Sequence, residues 1–207
     1  MAIIKIKAEA RVDIALAIDL CPVEISGIGE VVFEDGIRHI TETILIPQKC
    51  FYEYTTFDWE AFLRYSAELN KRRMATRSLL GTSTKRLWWH SHVRGQAEFS
   101  SKDEAYIEQV SRDALLPFNP WLISIVGNKH GVLTTRLDVF RPKSARTTEY
   151  TRLPLSDGPY TREMLRDLYY ARLPRMKSLI EEMVTISADA PRSSWELDEF
   201  SSREEKT

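Results

Sequence analysis

Short apolar runs, several of them alternating with polar residues, are spread along the first two thirds of the chain and are typical of strands. These runs cover residues 2–7, 86–92, 121–127 and 131–140. A longer run over 23–46 is divided by Asp35-Gly36, a common hairpin turn, and it ends before Pro47. The pattern therefore predicts two hairpins and two single strands.

Between the strands, apolar residues recur three and four positions apart, which is the helical period. This spacing predicts helices over 9–20, over 58–73, and from Ser101 to Pro117. Two further helices are expected, one over 161–172 and one that starts or kinks at Pro174 and runs to about 186. Residues 188–207 are rich in Ser and Glu and have almost no apolar period, so a disordered tail is expected there.

The elements follow in the order strand, helix, hairpin, helix, strand, helix, hairpin, helices. This order indicates an α/β or α+β fold, with a mixed, curved β-sheet flanked by helices. A chain of 207 residues suits one domain with an extension. We expect a core over residues 1–142, a C-terminal helical extension over 143–187 and a tail over 188–207.

The composition excludes several classes of protein. Lys and Arg total 29 against 30 for Asp and Glu, so the chain lacks the basic surplus of a protein that binds nucleic acid by charge. No apolar stretch approaches the roughly 20 residues of a membrane span, and early charges interrupt any signal peptide. Two cysteines, Cys21 and Cys50, are too few for a disulfide framework or a Cys-x-x-Cys zinc site. We therefore expect a cytoplasmic protein without a nucleic-acid or membrane partner.

The candidate chemistry lies at His90-Ser91-His92, which ends the predicted strand 86–92. Alternate residues of a strand face the same side, so His90 and His92 present two imidazoles together. Asp103 follows in the first turn of the next predicted helix, which can bring its carboxylate to the same point. Two His and one Asp form a common catalytic zinc set that leaves a fourth position for water. A His-x-His pair alone is more often an ordinary surface or core feature, so the prediction depends on the combination.

The combined sequence resembles the JAMM motif of the JAB1/MPN/Mov34 zinc metalloproteases. His-Ser-His at 90–92 is followed by seven residues, Ser100, two residues and Asp103, and Glu24 with two glycines stands upstream. The order of elements over residues 1–142 is also similar. The resemblance implies a core of the MPN/JAB, cytidine-deaminase-like type.

The resemblance also implies a role for each motif residue. His90, His92 and Asp103 would hold one catalytic Zn²⁺. Glu24 would accept a proton from the zinc-bound water and pass it to the leaving amine, and Ser100 would donate a hydrogen bond to the oxyanion.

Two of these assignments have alternatives in the sequence. Other glutamates compete with Glu24, and only the glycine pattern and the family order distinguish it; the competitors are Glu9, Glu30, Glu34 and Glu42. Ser100 is also placed to cap the helix, and Ser101 with Glu104 offers a second capping register. The simplest role for Trp88 and Trp89 is packing on the two faces of the strand.

The chain departs from the eukaryotic isopeptidases of this family in two places. The residues after His92, Val93–Phe99, lack the usual Pro-Gly, and a tight turn joins strands 121–127 and 131–140 where linkage-specific relatives carry an insertion. The compact form looks more like stand-alone prokaryotic, bacterial members. Several of those act beside ubiquitin-like proteins and E1- or E2-like enzymes.

The expected function is that of a zinc-dependent, deubiquitinase-like isopeptidase or peptidase. It would hydrolyse the bond after the C-terminal Gly of a ubiquitin or ubiquitin-like protein, in deconjugation or precursor processing. One alternative is a non-catalytic MPN scaffold subunit, and another is a hydrolase of a small amide or of a cysteine adduct on a carrier protein. The C-terminal helices would pack on the core, contact a partner such as an E1- or E2-like protein, or support a homodimer.

Overall fold

The computed structural model describes residues 3–58, 60, 64, 67, 84–93, 95–112, 121–140 and 146–187. Most of the predicted helix 58–73, the stretch 113–117 and the predicted tail 188–207 lie outside the described residues. In the described part, none of the helices combines the length and the apolar character that crossing a membrane requires.

Seven strands form the main sheet in the order β1-β3-β2-β6-β7-β8-β9. They are β1 (Ile3–Ile6), β2 (Ser26–Glu34), β3 (Ile37–Leu45), β6 (Thr84–His92), β7 (Trp121–Asn128), β8 (Leu133–Phe140) and β9 (Arg146–Thr151). A second sheet has the order β10-β4-β5, from β4 (Gln48–Cys50), β5 (Thr55–Phe57) and β10 (Val184–Ile186). Within the described residues, helices with defined bounds are α1 (Ala8–Leu20), α2 (Ser101–Arg112) and α3 (Arg162–Met183).

The main sheet is mixed and curled, which confirms the predicted α+β fold. The pairs β1–β3 and β6–β7 are parallel, and the other neighbours are antiparallel. The hairpin between β2 and β3 turns at Asp35 and Gly36, which have φ angles of 50° and 77°. Positive φ at both turn positions matches the twist of antiparallel strands, so the Asp-Gly prediction is confirmed.

Helices cover both faces of the sheet. Residues of α1 and α3 pack on one face in the larger core cluster, and Ile107 of α2 packs with Trp88 and Leu122 in a smaller cluster on the other face. Every residue of β7 is buried, as expected for a central strand with cover on both sides. The candidate site lies on the face that α2 covers.

Two glycines of β2 are explained by the large side chains that cross them from β6. A Cβ on Gly27 would lie 2.5 Å from the Trp89 ring, and one on Gly29 would lie 2.5 Å from the Leu87 side chain. The indole of Trp89 also donates to the Ile28 carbonyl, at 3.2 Å. The glycine pattern upstream of the motif therefore has a packing cause in this chain: the glycines leave room for the side chains of Trp89 and Leu87 to lie across β2.

The C-terminal part differs from the prediction of two helices separated at Pro174. A single helix, α3, continues through Pro174, and β10 occupies 184–186, where helix was expected. A proline inside a helix costs about 3 kcal/mol. Packing on α1 offsets this cost: Met176 is buried in the main core, and Arg172 contacts the Asp13 carboxylate with two nitrogens.

The segment 143–187, expected as a helical extension, also contributes strands. β9 forms the edge of the main sheet beside β8, and β10 pairs with β4 in the second sheet. The core boundary at residue 142 stays a prediction.

Candidate metal centre

The two histidines lie at the end of β6, between β2 and β7. His90 is paired with Ser26 on one side and Val126 on the other, and His92 is paired with Asn128. Because the residues alternate along the strand, both imidazoles reach the face that α2 covers. The ring of Trp88, two residues earlier, stacks on His90 with centroids 4.4 Å apart and so supports its orientation.

Asp103 completes a compact group of three donors. Its carboxylate oxygens lie 3.1 Å from His90 Nε2 and 3.4 Å from His92 Nε2, and the two Nε2 atoms are 3.3 Å apart. Zinc bonds of about 2.0–2.1 Å in a tetrahedron separate neighbouring ligand atoms by about 3.3–3.4 Å. The donor set and its spacing therefore suit a zinc-sized ion, and one ligand atom of each residue lies within 4.8 Å of the others.

The hydrogen bonding of His92 fixes which ring nitrogen is free. Its Nδ1 lies 3.4 Å from the Gln96 carbonyl, which can only accept. A neutral His92 therefore carries its proton on Nδ1 and presents a lone pair at Nε2 toward the group, as a metal-binding imidazole does. Asn128 holds the loop after His92 that carries Gln96. Its Nδ2 donates to the Gly95 carbonyl at 3.2 Å, and its Oδ1 accepts from the backbone amides of His130 and Val132.

The start of α2 places Asp103. The Ser100 hydroxyl accepts from the Asp103 amide at 3.3 Å, and the Asp103 carboxylate accepts from the Ser100 amide and hydroxyl at 2.6 and 2.7 Å. This is a reciprocal cap, so the helix uses the Ser100 and Asp103 register rather than that of Ser101 and Glu104. The role of Ser100 as an oxyanion donor stays a prediction.

Glu24 lies just before β2, in the turn after α1, rather than within a strand as predicted. Its amide donates to the Phe51 carbonyl at 3.1 Å. The next residue, Ile25, forms two hydrogen bonds with Ser91: its amide donates to Ser91 Oγ at 3.0 Å, and its carbonyl accepts from the Ser91 amide at 2.9 Å. Ser91, on the face opposite the imidazoles, thus ties the Glu24 segment to β6.

The carboxyl of Glu24 has a pKa that suits proton transfer near neutrality. Burial raises its pKa to about 7, and the nearby charge of Asp103 adds to the rise, against the opposing effects of His92 and Lys102. A carboxyl with a pKa near 7 can both accept and release a proton at that pH.

The pKa values of the three donor residues are also shifted, in directions that differ from one residue to the next. Burial opposes ionisation of Asp103, but its contacts with His90, His92 and Ser100 outweigh it and hold its pKa well below the usual range. Burial lowers the pKa of His90, whereas the hydrogen bond to Asp103 raises that of His92. The carboxylate therefore stays charged, and His90 favours the neutral form that binds metals.

The three donors and Glu24 open into one cleft of about 660 Å³. Its walls are α2 on one side and the β4–β5 hairpin on the other. Across its mouth, Lys102 Nζ lies 3.8 Å from the Glu53 carboxylate and 5.6 Å from the centre of the Tyr54 ring. An aromatic wall of Phe57, Trp88 and Tyr106 continues beside His90.

The lining from Glu53 to Phe57 was not predicted from the sequence, because three-residue strands carry almost no periodic signal. The competing glutamates do not line the cleft; these are Glu9, Glu30, Glu34 and Glu42. Trp88 lines the cleft wall, and Trp89 is buried in the main core on the opposite face. Cys21 and Cys50 are buried free thiols.

Comparison with known proteins finds a likeness in fold and assigns neither a family nor a function. No family model matches the chain, and no curated protein matches it. Among solved structures, 129 chains match. One is a protein of Desulfitobacterium hafniense, solved in solution by the Northeast Structural Genomics Consortium, which is 14% identical over 75% of this chain and 94% of that chain, with a TM-score of 0.50. At that identity, the likeness concerns the fold alone.

Proposed function

We propose that the protein is a zinc metallopeptidase of the JAMM type, which hydrolyses the bond after the C-terminal Gly of a ubiquitin-like protein. The observation that carries the proposal is the meeting of His90, His92 and Asp103 in a cleft that also holds Glu24. The sequence spacing that suggested the family and the spatial arrangement of the side chains are separate observations, and both favour the same chemistry.

His90, His92 and Asp103 would hold the zinc ion through one atom each. When bound, zinc lowers the pKa of a coordinated water to about 7 and polarises a carbonyl. The cleft leaves the side of the group facing Glu24 and α2 accessible to solvent and to substrate.

Glu24 would transfer the protons of the reaction. Its carboxylate accepts a proton from the attacking water and then gives it to the nitrogen of the leaving amine, whose bond to the carbonyl carbon breaks. A positioned acid–base group contributes roughly 10²–10⁴-fold to such a rate. The Ser100 hydroxyl would turn from Asp103 toward the developing oxyanion, a role that contributes about 10²–10³-fold in other enzymes.

The substrate class rests on the resemblance to the family and on the outer strand beside the donor group. β5 is the outer strand of the order β10-β4-β5, and its residues Thr55–Phe57 line the cleft beside the donor group. An extended peptide can add to such a strand by main-chain hydrogen bonds. A narrow tail ending in Gly would then run along β5 and place its last carbonyl at the donor group.

The test combines metal content with cleavage. We expect protein purified without chelator to contain about one zinc per chain, and to cleave a ubiquitin-like protein fused through its terminal Gly to a reporter. The variant Glu24→Gln should keep the zinc and lose activity by at least about 10²-fold. Glu53→Gln, at the exposed rim of the same cleft, is the matched control and should keep both.

Each contrary outcome points to a different error. Protein without zinc would refute the metal centre and favour a scaffold subunit. Zinc-loaded protein that cleaves a small amide but no ubiquitin-like fusion would refute the substrate class alone. Undiminished cleavage by Glu24→Gln would exclude Glu24 as the acid–base group.

A further inference from the structure

We propose that Arg136 is a positioning residue, which clamps the segment Phe99–Glu104 from the sheet side and thereby fixes the Asp103 carboxylate beside the histidines. The inference rests on the proposed function. Arg136 is one of the largest fully buried side chains, with a relative exposure of 1%. A buried cation requires a partner, and two of the residues that this one contacts, Phe99 and Glu104, flank Ser100 and Asp103 in sequence.

The guanidinium contacts the segment at both of its ends. Its two terminal nitrogens pair with the two carboxylate oxygens of Glu104, the residue directly after Asp103. Its carbon lies 4.0 Å from the centre of the Phe99 ring, the residue directly before Ser100. The reciprocal cap between Ser100 and Asp103 is thus held between two contacts to a single side chain.

The guanidinium is itself fixed to the sheet. Its Nε donates to Asp138 Oδ2 at 3.0 Å, and Asp138 has no exposed surface. The other oxygen of Asp138 accepts from the Thr148 hydroxyl at 2.6 Å and lies 3.4 Å from Arg146 Nε. β8 and β9 therefore hold Arg136 rigidly, and its planar fork transmits that rigidity to the start of α2.

The clamp also reaches the first histidine. The Phe99 ring that the guanidinium covers meets His90 edge to face, with centroids 6.1 Å apart. Arg136 therefore borders the donor group through the Phe99 ring. This arrangement predicts that Arg136 acts on Asp103 by fixing its geometry.

The test uses Arg136→Lys, which keeps the positive charge that Asp138 needs. It removes the planar guanidinium, and with it the bidentate pair with Glu104 and the contact with the Phe99 ring. The matched control is Arg172→Lys, the same change at another bidentate pair, between α3 and Asp13. Affinity for Co²⁺ is measured by competition with a chelator, using the visible absorption of the bound ion. Hydrogen exchange at the Asp103 and Glu104 amides, both bonded to Ser100, is measured without metal.

We expect Arg136→Lys to weaken Co²⁺ binding about ten-fold, a typical cost of losing a residue that orients a ligand. The two amides should exchange faster in the same variant, and Arg172→Lys should match the wild type in both measurements. If Arg136→Lys does not fold, Glu104→Gln weakens the same contact from the more exposed side, together with the contact to Arg146, and should shift both readouts in the same direction.

The outcomes separate the clamp from the proposed function. Wild-type Co²⁺ affinity and wild-type exchange in a folded Arg136→Lys protein would overturn the clamp and leave the proposed function intact. A wild-type protein that binds no Co²⁺ would refute the metal centre, and the exchange rates would then decide alone whether Arg136 holds the segment. Equal losses in the Arg172→Lys control would show a general effect on stability and overturn the inference.

Discussion

Replacing Glu24 by Gln should stabilise the metal-free protein at alkaline pH, although it removes the proposed acid–base group. Glu24 is half-buried beside Asp103, and burial raises its pKa from 4.5 to about 7. A carboxyl whose pKa is raised on folding favours the folded state when it is protonated. Its contribution is therefore full below pH 4.5 and is lost as the pH rises through 7. Gln has nearly the same shape and does not titrate.

The size of the effect follows from the shift. A rise of about 2.5 pKa units corresponds to about 3.4 kcal/mol at full burial. Glu24 opens into the cleft, so solvent screening reduces this to about 1–2 kcal/mol. Relative to the wild type, Glu24→Gln should gain that amount in free energy of unfolding at pH 8 and gain little at pH 4.5.

Urea unfolding of both proteins with excess chelator, from pH 4.5 to 8, measures the difference directly. Subtracting the two curves removes the titration of groups that both proteins share. Replacing Glu53, whose side chain is 75% exposed, by Gln should give a nearly flat difference curve, since the Glu53 charge makes only a minor contribution to the raised pKa of Glu24. A flat curve for Glu24→Gln as well, or one that rises toward acid, would refute the assignment of a buried, raised carboxyl at this position.

Three further predictions concern the ligand Asp103, the loop after His92 and the contact between Gly27 and Trp89. Asp103→Asn should weaken zinc binding at least about 10²-fold in a chelator competition, because it removes the one charged ligand that the donor set provides. Asn128→Ala removes the hydrogen bond to the Gly95 carbonyl and so loosens the loop that carries Gln96, whose carbonyl contacts His92; zinc affinity should therefore fall about ten-fold. Gly27→Ala would bring a methyl group to 2.5 Å from Trp89, and thermal unfolding should show a loss of more than about 2 kcal/mol.

The donor group could be predicted from the sequence because each of its parts follows from a local rule. Strand alternation puts His90 and His92 on one face, and a capped helix start puts Asp103 at a defined point. The choice between two overlapping capping registers could not be made locally. Arg136 and Arg146, more than thirty residues away in sequence, bind the Glu104 carboxylate, and Ser100 and Asp103 cap each other.

The remaining differences have tertiary causes. Pro174 is a local reason to end a helix, but contacts with α1 on both sides of it keep α3 continuous. β4, β5 and β10 have three residues each, too few for a period to be recognised. β5 and the turn before it form one wall of the cleft, so the sequence indicated the chemical group while leaving unknown the surface that would select a substrate.

Ser91 provides a test of whether the acid–base group and the metal ligands are anchored separately. Its hydroxyl accepts from the Ile25 amide beside Glu24, and both partners are buried. Ser91→Ala would leave that amide without this partner, at a cost of about 1–3 kcal/mol, and would loosen the Glu24 segment. The imidazoles on the other face of β6 keep their own contacts with Trp88 and Asp103.

We therefore expect Ser91→Ala to retain zinc affinity within about two-fold, a smaller change than the loss of a ligand-orienting residue causes, while kcat falls. Ser91→Thr keeps the hydroxyl and should retain more of the activity. Equal losses of zinc affinity in Ser91→Ala and Asp103→Asn would contradict separate anchoring, because they would mean that the Ile25 bond holds the ligands as well as the acid–base group. A kcat equal to that of the wild type would instead mean that Glu24 keeps its position through the Phe51 carbonyl alone.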